Sequence, residues 1–220
     1  MTRAMSATDR AYHETRGRIL DGELAGGDVI TEGQVSASLG ISRTPVREAF
    51  LRLQAEGLLH LYPKRGAVVV PVSVEEATSV MEAREIIESY AATKLLSENE
   101  VLPRRLLEAL WENLSEQQVT AHNGNNAAFI EADTRFHLIL VEACDNPFLA
   151  DLLRNLRDHQ RRLGLAAPRG DAQSRIQAAY REHVGLVERL ERGELDAYLS
   201  ALRAHLRNGR LRLVGTADGR

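Results

Sequence analysis

The pattern of apolar positions divides this 220-residue chain in two. Up to about residue 71 the period changes several times. Beyond it, apolar residues recur almost throughout at the three-and-four spacing of a helix face. In the first part the pattern predicts a helix over about 8–23, with Ile19, Leu20 and Leu24 near its end. The glycines of GELAGGD (22–28) turn the chain into a loop. Thr31 with Gln34 three residues on has the form of a capping box, opening a short helix to about Leu39 that Gly40 ends. Ser42 is a favoured N-cap for a third helix, which buries Val46, Ala49, Phe50 and Leu53 and closes at Gly57. Pro45 falls in its first turn, where a missing N–H breaks no helical bond. LLHLY and AVVV are β-prone runs around Pro63-Lys64-Arg65-Gly66 and predict a two-stranded hairpin with a basic tip.

Helix, short helix, tight turn, helix and basic hairpin is the order of a winged helix-turn-helix. After Pro71 the spacing predicts six helices, over about 74–97, 103–121, 126–144, 147–166, 172–192 and 194–211. Pro103, Asn123-Gly124-Asn125, Asn146-Pro147, the stretch 167–171 and Gly193 punctuate them. The expected fold is therefore mainly α. An N-terminal winged helix-turn-helix domain with a small β-hairpin covers 1–73, and a C-terminal all-α helical bundle covers 74–220.

Composition narrows the function. Hydrophobic residues make up 44% of the chain, enough for real cores, yet no apolar run approaches the roughly 18–20 residues that span a bilayer. The start, MTRAMSATDR, lacks the apolar core of a signal peptide, so a cytoplasmic protein with no membrane partner is expected. Cys144 is the one cysteine, which excludes an intrachain disulfide framework and a thiolate zinc cluster. The net charge of −3 does not advertise nucleic acid. Residues 42–66 do so locally, with Arg43, Arg47, Arg52, Lys64 and Arg65 against Glu48 and Glu56.

With Ser42 at the N-cap, Arg43 and Arg47 lie four apart on the exposed start of the third helix, beside Thr44. A recognition helix contacts bases with its N-terminal residues, and arginine can donate two bonds to guanine O6 and N7. The Ser42 and Thr44 hydroxyls suit phosphate oxygens, and Lys64 and Arg65 at the hairpin tip can reach a minor groove or the backbone. LGISRTPVREAFLRLQAEGLLHLYPKRGAVV closely resembles the DNA-binding domain of GntR-type bacterial transcription regulators. The resemblance covers about residues 8–71. It implies a regulator that binds a short palindromic operator as a homodimer, with Arg43, Thr44 and Arg47 on the recognition helix and Gly66 in the wing. The chain departs from the family's frequent Pro-Gly at Gly26-Gly27 and from its Glu-Leu-Ala at Gln34-Val35-Ser36.

In the helical half, polar residues stand where leucine is expected. The stripe of 126–144 runs Phe129, Asp133, Phe136/His137, Leu140. That of 172–192 runs Ile176, Tyr180, His183, Val187, Leu190, and that of 194–211 runs Leu195, Tyr198/Leu199, Leu202, His205. A lone histidine on such a face is commonly a hydrogen-bonded core residue, but four polar groups on three stripes ask for a common partner. His183 lies ten residues before Gly193 and His205 twelve after it, so in an antiparallel hairpin they differ in height by only ~3 Å. Asp133, His137, His183 and His205 form a candidate divalent-metal site, suited to Zn²⁺, with Ni²⁺ or Mn²⁺ as alternatives. On the stripe of 74–97, Arg84 also points inward. It either pairs with Glu88 at i+4 or clamps the carboxylate of a small ligand.

Asp133-x3-His137, then His183 and His205, with Arg84 on the first helix of the bundle, resemble the effector domain of FadR-like GntR regulators. Six helices rather than seven resemble its VanR-like branch. This resemblance implies that the four residues hold the metal, that a small organic acid binds there, and that Arg84 contacts its carboxylate. The function expected is a ligand-responsive DNA-binding regulator, a repressor modulated by a small carboxylate effector, without catalytic residues. The alternatives are a metal-dependent hydrolase and a regulator that senses the metal itself.

Overall fold

The computed structural model describes residues 5–63, 65–71, 73–99, 101–166 and 172–214. The chain forms two compact units, Met1–Ser73 and Val74–Arg220.

The first unit contains helices α1 (Ala7–Leu20), α2 (Glu32–Leu39) and α3 (Arg43–Ala55) with strands β1 (Val29–Ile30), β2 (Leu59–Tyr62) and β3 (Gly66–Val69). Its helix ends follow local chemistry. Ser6 caps α1 by accepting from the Asp9 amide. Thr31 and Gln34 complete the capping box of α2, and Gly40, at φ 64°, ends that helix in the left-handed conformation. Helix α1 stops at Leu20, three residues before its predicted end, because Gly22 takes φ 76° just beyond the Asp21 cap. Val46, Ala49, Phe50 and Leu53 of α3 pack with Ala11, Ile19, Val35, Leu59, Ala67 and Val69 into one core.

The predicted hairpin is two strands of a three-stranded antiparallel sheet ordered β1-β3-β2. Only Val29↔Val68 and Ile30↔Ala67 pair β1 with β3, so the third strand was too short to leave a periodic signature. Its closeness explains Gly66. That residue has φ +95°, and a Cβ there would stand 2.5 Å from the Ile30 carbonyl oxygen. Gly26 is also sterically required, since a Cβ would meet Pro71 Cα at 2.7 Å. The departure at Gly26 is therefore accommodated by the backbone packing, and that at Gln34 by the capping box.

The second unit contains α4 (Val74–Glu98), α5 (Arg104–His122), α6 (Asn126–Glu142), α7 (Pro147–Ala166), α8 (Ala172–Glu191) and α9 (Leu195–Val214). Its main core joins Ile87, Ala91 and Leu95 of α4 to Leu110 and Leu114, Phe136 and Leu140, Leu153, Leu186 and Val187, and Leu202 and Leu206. Each of the six helices therefore contributes an apolar stripe. The polar residues on those stripes are buried with them: Arg84, Glu88, His137, Arg157, His183 and His205 are each 5% exposed or less.

Candidate functional site

Two clusters carry candidate chemistry, one in each unit. In the first unit Ser42 is the N-cap of α3, but its hydroxyl makes no capping bond. Ser42, Arg43, Thr44 and Arg47 are all exposed along the start of the helix, and Arg65 is exposed in the wing. Arg43 and Arg47 border a groove of about 630 Å³, which Tyr62, Pro63, Arg65 and Gly66 close from the wing side. Other arginines of this unit are neutralised: Arg16 pairs with Glu56, Arg18 with Glu23 and Arg52 with Asp9. No ion pair among the described residues engages Arg43, Arg47 or Arg65. An ordinary solvated surface would be expected to pair some of them, so this face retains cationic donors for a phosphate backbone and base edges. Lys64 lies outside the described residues. Gly66 serves the wing through its backbone conformation, with no side-chain donor to offer.

In the second unit Asp133 and His137 come from α6, His183 from α8 and His205 from α9. One ligand atom from each lies within 4.8 Å of the others. Asp133 Oδ1 is 3.3 Å from His183 Nε2 and 3.8 Å from His137 Nε2. His183 Nε2 and His205 Nε2 are 3.3 Å apart.

The outward-facing ring nitrogens decide what these atoms are. His137 Nδ1 is 2.6 Å from Glu88 Oε2, His183 Nδ1 is 2.7 Å from Gln117 Oε1, and His205 Nδ1 is 2.8 Å from Glu182 Oε2. All three partners are acceptors, so each ring donates from Nδ1 and turns an Nε2 lone pair inward. Gln117 is itself oriented. Its Nε2 donates to Asn113 Oδ1 at 2.8 Å, and Asn113 Nδ2 donates to the Ala132 carbonyl at 3.0 Å. Three lone pairs and a carboxylate oxygen thus converge with no proton among them, and His137 Nε2 is buried without a hydrogen-bond partner. That centre is electron-rich and fits a cation. Donors around an ion at ~2.1 Å stand about 3.4 Å apart in a tetrahedron, close to two of the observed separations. Acceptors behind each imidazole are the usual outer support of a metal-binding histidine.

The electrostatics keep the donors in the ligating form. Burial lowers the His183 pKa well below the usual imidazole value, and proximity to His205 lowers it further. Burial likewise brings His205 down to about 4, against the opposing bond to Glu182. For Asp133, burial raises the pKa, but Arg157 together with His137 and His183 outweighs it and holds the carboxyl well below its ordinary range.

Arg84 forms the first of the two arrangements anticipated of it, the pair with Glu88. Its Nε donates to Glu88 Oε1 at 2.8 Å and its Nη1 to Gln160, so the i+4 pair is formed. Its Nη2 is buried without a partner, and the residue lines a cavity of about 130 Å³ together with Asp133 and His205. Arg157 was not anticipated. Buried on α7, it donates from Nη2 to Asp133 Oδ2 and from Nη1 to Gln160 Oε1 at 2.9 Å. It thereby occupies one carboxylate oxygen and leaves the other facing the imidazoles. Its signal was present in the sequence: Ala150, Leu153, Arg157 and Gln160 follow one helix face, with the last two breaking the apolar stripe.

Residues 79–208 match the FCD domain, and residues 7–69 match the bacterial regulatory proteins of the gntR family. The chain belongs to the GntR-family transcription regulators that carry an FCD (FadR-like C-terminal) domain. It is a DNA-binding transcription regulator with operator DNA as partner, and its family is not one of enzymes, which sets aside the hydrolase alternative. It is 28% identical over 198 residues to the HTH-type transcriptional repressor RspR of Escherichia coli (strain K12), covering 89% of this chain and 83% of that one. It is 26% identical over 148 residues to the gluconate operon transcriptional repressor of Bacillus subtilis (strain 168), covering 67% and 59%. Among solved structures it shares the fold of the GntR of Rhodococcus sp. RHA1, with a TM-score of 0.81 at 22% identity over 96% and 99% of the two chains. It also shares the fold of E. coli McbR/YncC, with a TM-score of 0.75 at 21% identity over 96% and 98%. No helix among the described residues is long and apolar enough to cross a membrane.

Proposed function

We propose that the chain is a cytoplasmic, homodimeric repressor whose 74–220 domain binds a divalent metal and a small carboxylate, and whose 1–73 domain grips a palindromic operator. The observation that carries this reading is the convergence of three imidazole lone pairs and one carboxylate oxygen beside a cavity lined by Arg84, whose Nη2 is buried without a partner. Zn²⁺ suits the donor set best, with Ni²⁺ and Mn²⁺ as alternatives. Asp133, His137, His183 and His205 would hold the ion, which would supply a positive anchor for the acid. Arg84 Nη2 would take up a carboxylate oxygen. On the DNA side, Ser42, Arg43, Thr44, Arg47, Lys64 and Arg65 make the contacts and Gly66 shapes the wing.

Two relatives named as repressors support repression. The exposed Ile86 and Tyr90 of α4 and Phe148 and Leu152 of α7, on helices that pack together, offer an apolar face for a second copy. The acid acts by binding one packing of the helical domain better than another, which biases the separation of the paired DNA-binding domains.

The test has two stages. Selection of duplexes from a random pool should yield a two-fold symmetric site, bound by a dimer. Thermal melting against a panel of small organic acids, with zinc and after chelation, should then find acids that raise the melting temperature only with metal present and that alter affinity for the selected site. Operator binding that follows metal alone, with no acid having any effect, would favour a sensor of the metal itself.

A further inference from the structure

The buried charges around the candidate metal centre balance without a metal. Arg84 and Arg157 carry two positive charges, and Glu88 and Asp133 carry two negative ones. The next layer balances as well, since Arg212 forms two hydrogen bonds to Glu182, at 3.0 and 2.8 Å. A histidine that ligates through Nε2 while donating from Nδ1 carries no charge, so the three add nothing to this balance once an ion is held. A divalent ion therefore adds two charges that no described side chain around the centre offsets. An ionic surplus of that size in a buried site needs counter-charge.

The neighbouring cavity is arranged to accept it. Its charged lining among the described residues is Arg84, Arg175 and Arg212 on the positive side, with His205 neutral and Asp133 the one carboxylate. Arg157 already holds one oxygen of Asp133. Two groups are left for a ligand: the metal position between Asp133 and His205, and Arg84, whose Nη2 is buried and unpartnered. Phe129, Ile130 and Ile176 give the cavity an apolar lining. Its volume of about 130 Å³ favours a small occupant. A cavity of about 150 Å³ holds benzene, with six heavy atoms, so the space here suits a molecule of about that size.

We propose that the effector of this regulator is a short-chain dicarboxylate, a dianion with one carboxylate on the metal and the other on Arg84. The inference rests on the metal-and-carboxylate reading above and adds the second charge and the small size. One negative charge would leave the centre cationic, whereas two restore neutrality. The apolar wall then faces the short carbon spine rather than a polar group.

Titration calorimetry of the zinc-loaded full chain decides it, with malonate and succinate set against propionate and butyrate at fixed ionic strength. Zinc content is measured after each titration, so that stripping of the ion is detected. At least one diacid should bind ten-fold or more tightly than the monoacid of matching size, and chelated protein should lose that preference. Arg84→Lys keeps the charge but shortens the reach. It should weaken the diacid ten-fold and the monoacid less than three-fold, with circular dichroism checking its fold. Should Arg84→Lys fail to fold, the comparison on the unmodified chain decides alone. Monoacids that bind as tightly as diacids overturn the dianion while leaving the carboxylate effector standing. Diacid binding unaffected by chelation overturns the charge argument. No binding by any of the four acids overturns the effector reading and this inference together.

Discussion

Arg157→Met removes a buried cation from the centre of the helical domain while nearly keeping its volume. Arg157 is 3% exposed, and its Nη2 meets Asp133 Oδ2, whose carboxylate is 13% exposed. Without zinc, the variant leaves Asp133 buried with its arginine partner gone and only imidazoles beside it. Breaking a buried pair on one side costs about 3–5 kcal/mol. For a unit of this size each kcal/mol lowers the melting temperature by about 2–4 °C, so the helical domain should melt roughly 6–20 °C lower. With zinc bound, the ion sits on the other carboxylate oxygen and supplies the missing positive charge. The loss should then shrink to the packing change, about 1 kcal/mol or a few degrees. The assay is thermal unfolding by circular dichroism, comparing variant with wild type within each condition. Zinc stabilises both by mass action, which that comparison removes. An equal loss with and without zinc would refute the reasoning, because Asp133 would then not be facing the ion. A negligible loss in chelated protein would refute it too, since Arg157 would not be neutralising Asp133.

Arg43→Ala and Arg47→Ala should each lower affinity for the selected operator about 10–100-fold, at roughly 1–3 kcal/mol per bidentate contact. Neither should move the melting temperature by more than a degree or two, as fluorescence anisotropy and a parallel melt would show. Gly66→Ala should destabilise the N-terminal unit by about 1–3 kcal/mol in urea titrations, through the φ of +95° and the 2.5 Å approach to the Ile30 oxygen. Chelated protein should lose stability on acidification. The folded pKa of His205 is depressed to about 4 from an ordinary 6.5, so its contribution is fully present above 6.5 and is lost as pH falls to about 4. That loss is roughly 3 kcal/mol. Glu88 and Glu182, both held at about 2, act only below 4.5, so urea unfolding between pH 7.5 and 4.5 reads the buried histidines, with His183, also depressed, adding to the loss from His205.

Much of the site was legible because burial and periodicity are coupled. Asp133, His183 and His205 each broke an apolar stripe, and the register that made those stripes apolar also turned these residues inward. The ten-and-twelve spacing about Gly193 placed His183 and His205 at one height, and their Nε2 atoms stand 3.3 Å apart. Arg157 and Gln160 carried the same signal on α7 and were not recognised from it. Glu182 carried none, because it stands beside the stripe of α8 and meets His205 only when α9 packs against it. Strand β1, two residues long, exists through its partner β3 and is invisible in isolation.

The sequence by itself determined the helices, their caps and the inward faces, because these follow from hydrogen bonding and periodicity within a few residues. It also carried the family likeness. Only the tertiary structure decided which inward polar groups meet, since α4, α6, α7, α8 and α9 all contribute to one centre. It fixed the tautomers as well: an imidazole presents Nε2 to the centre only because Glu88, Gln117 or Glu182 stands behind it on another helix. Charge balance at a buried centre is a sum over residues far apart in the chain, and packing brings those residues together.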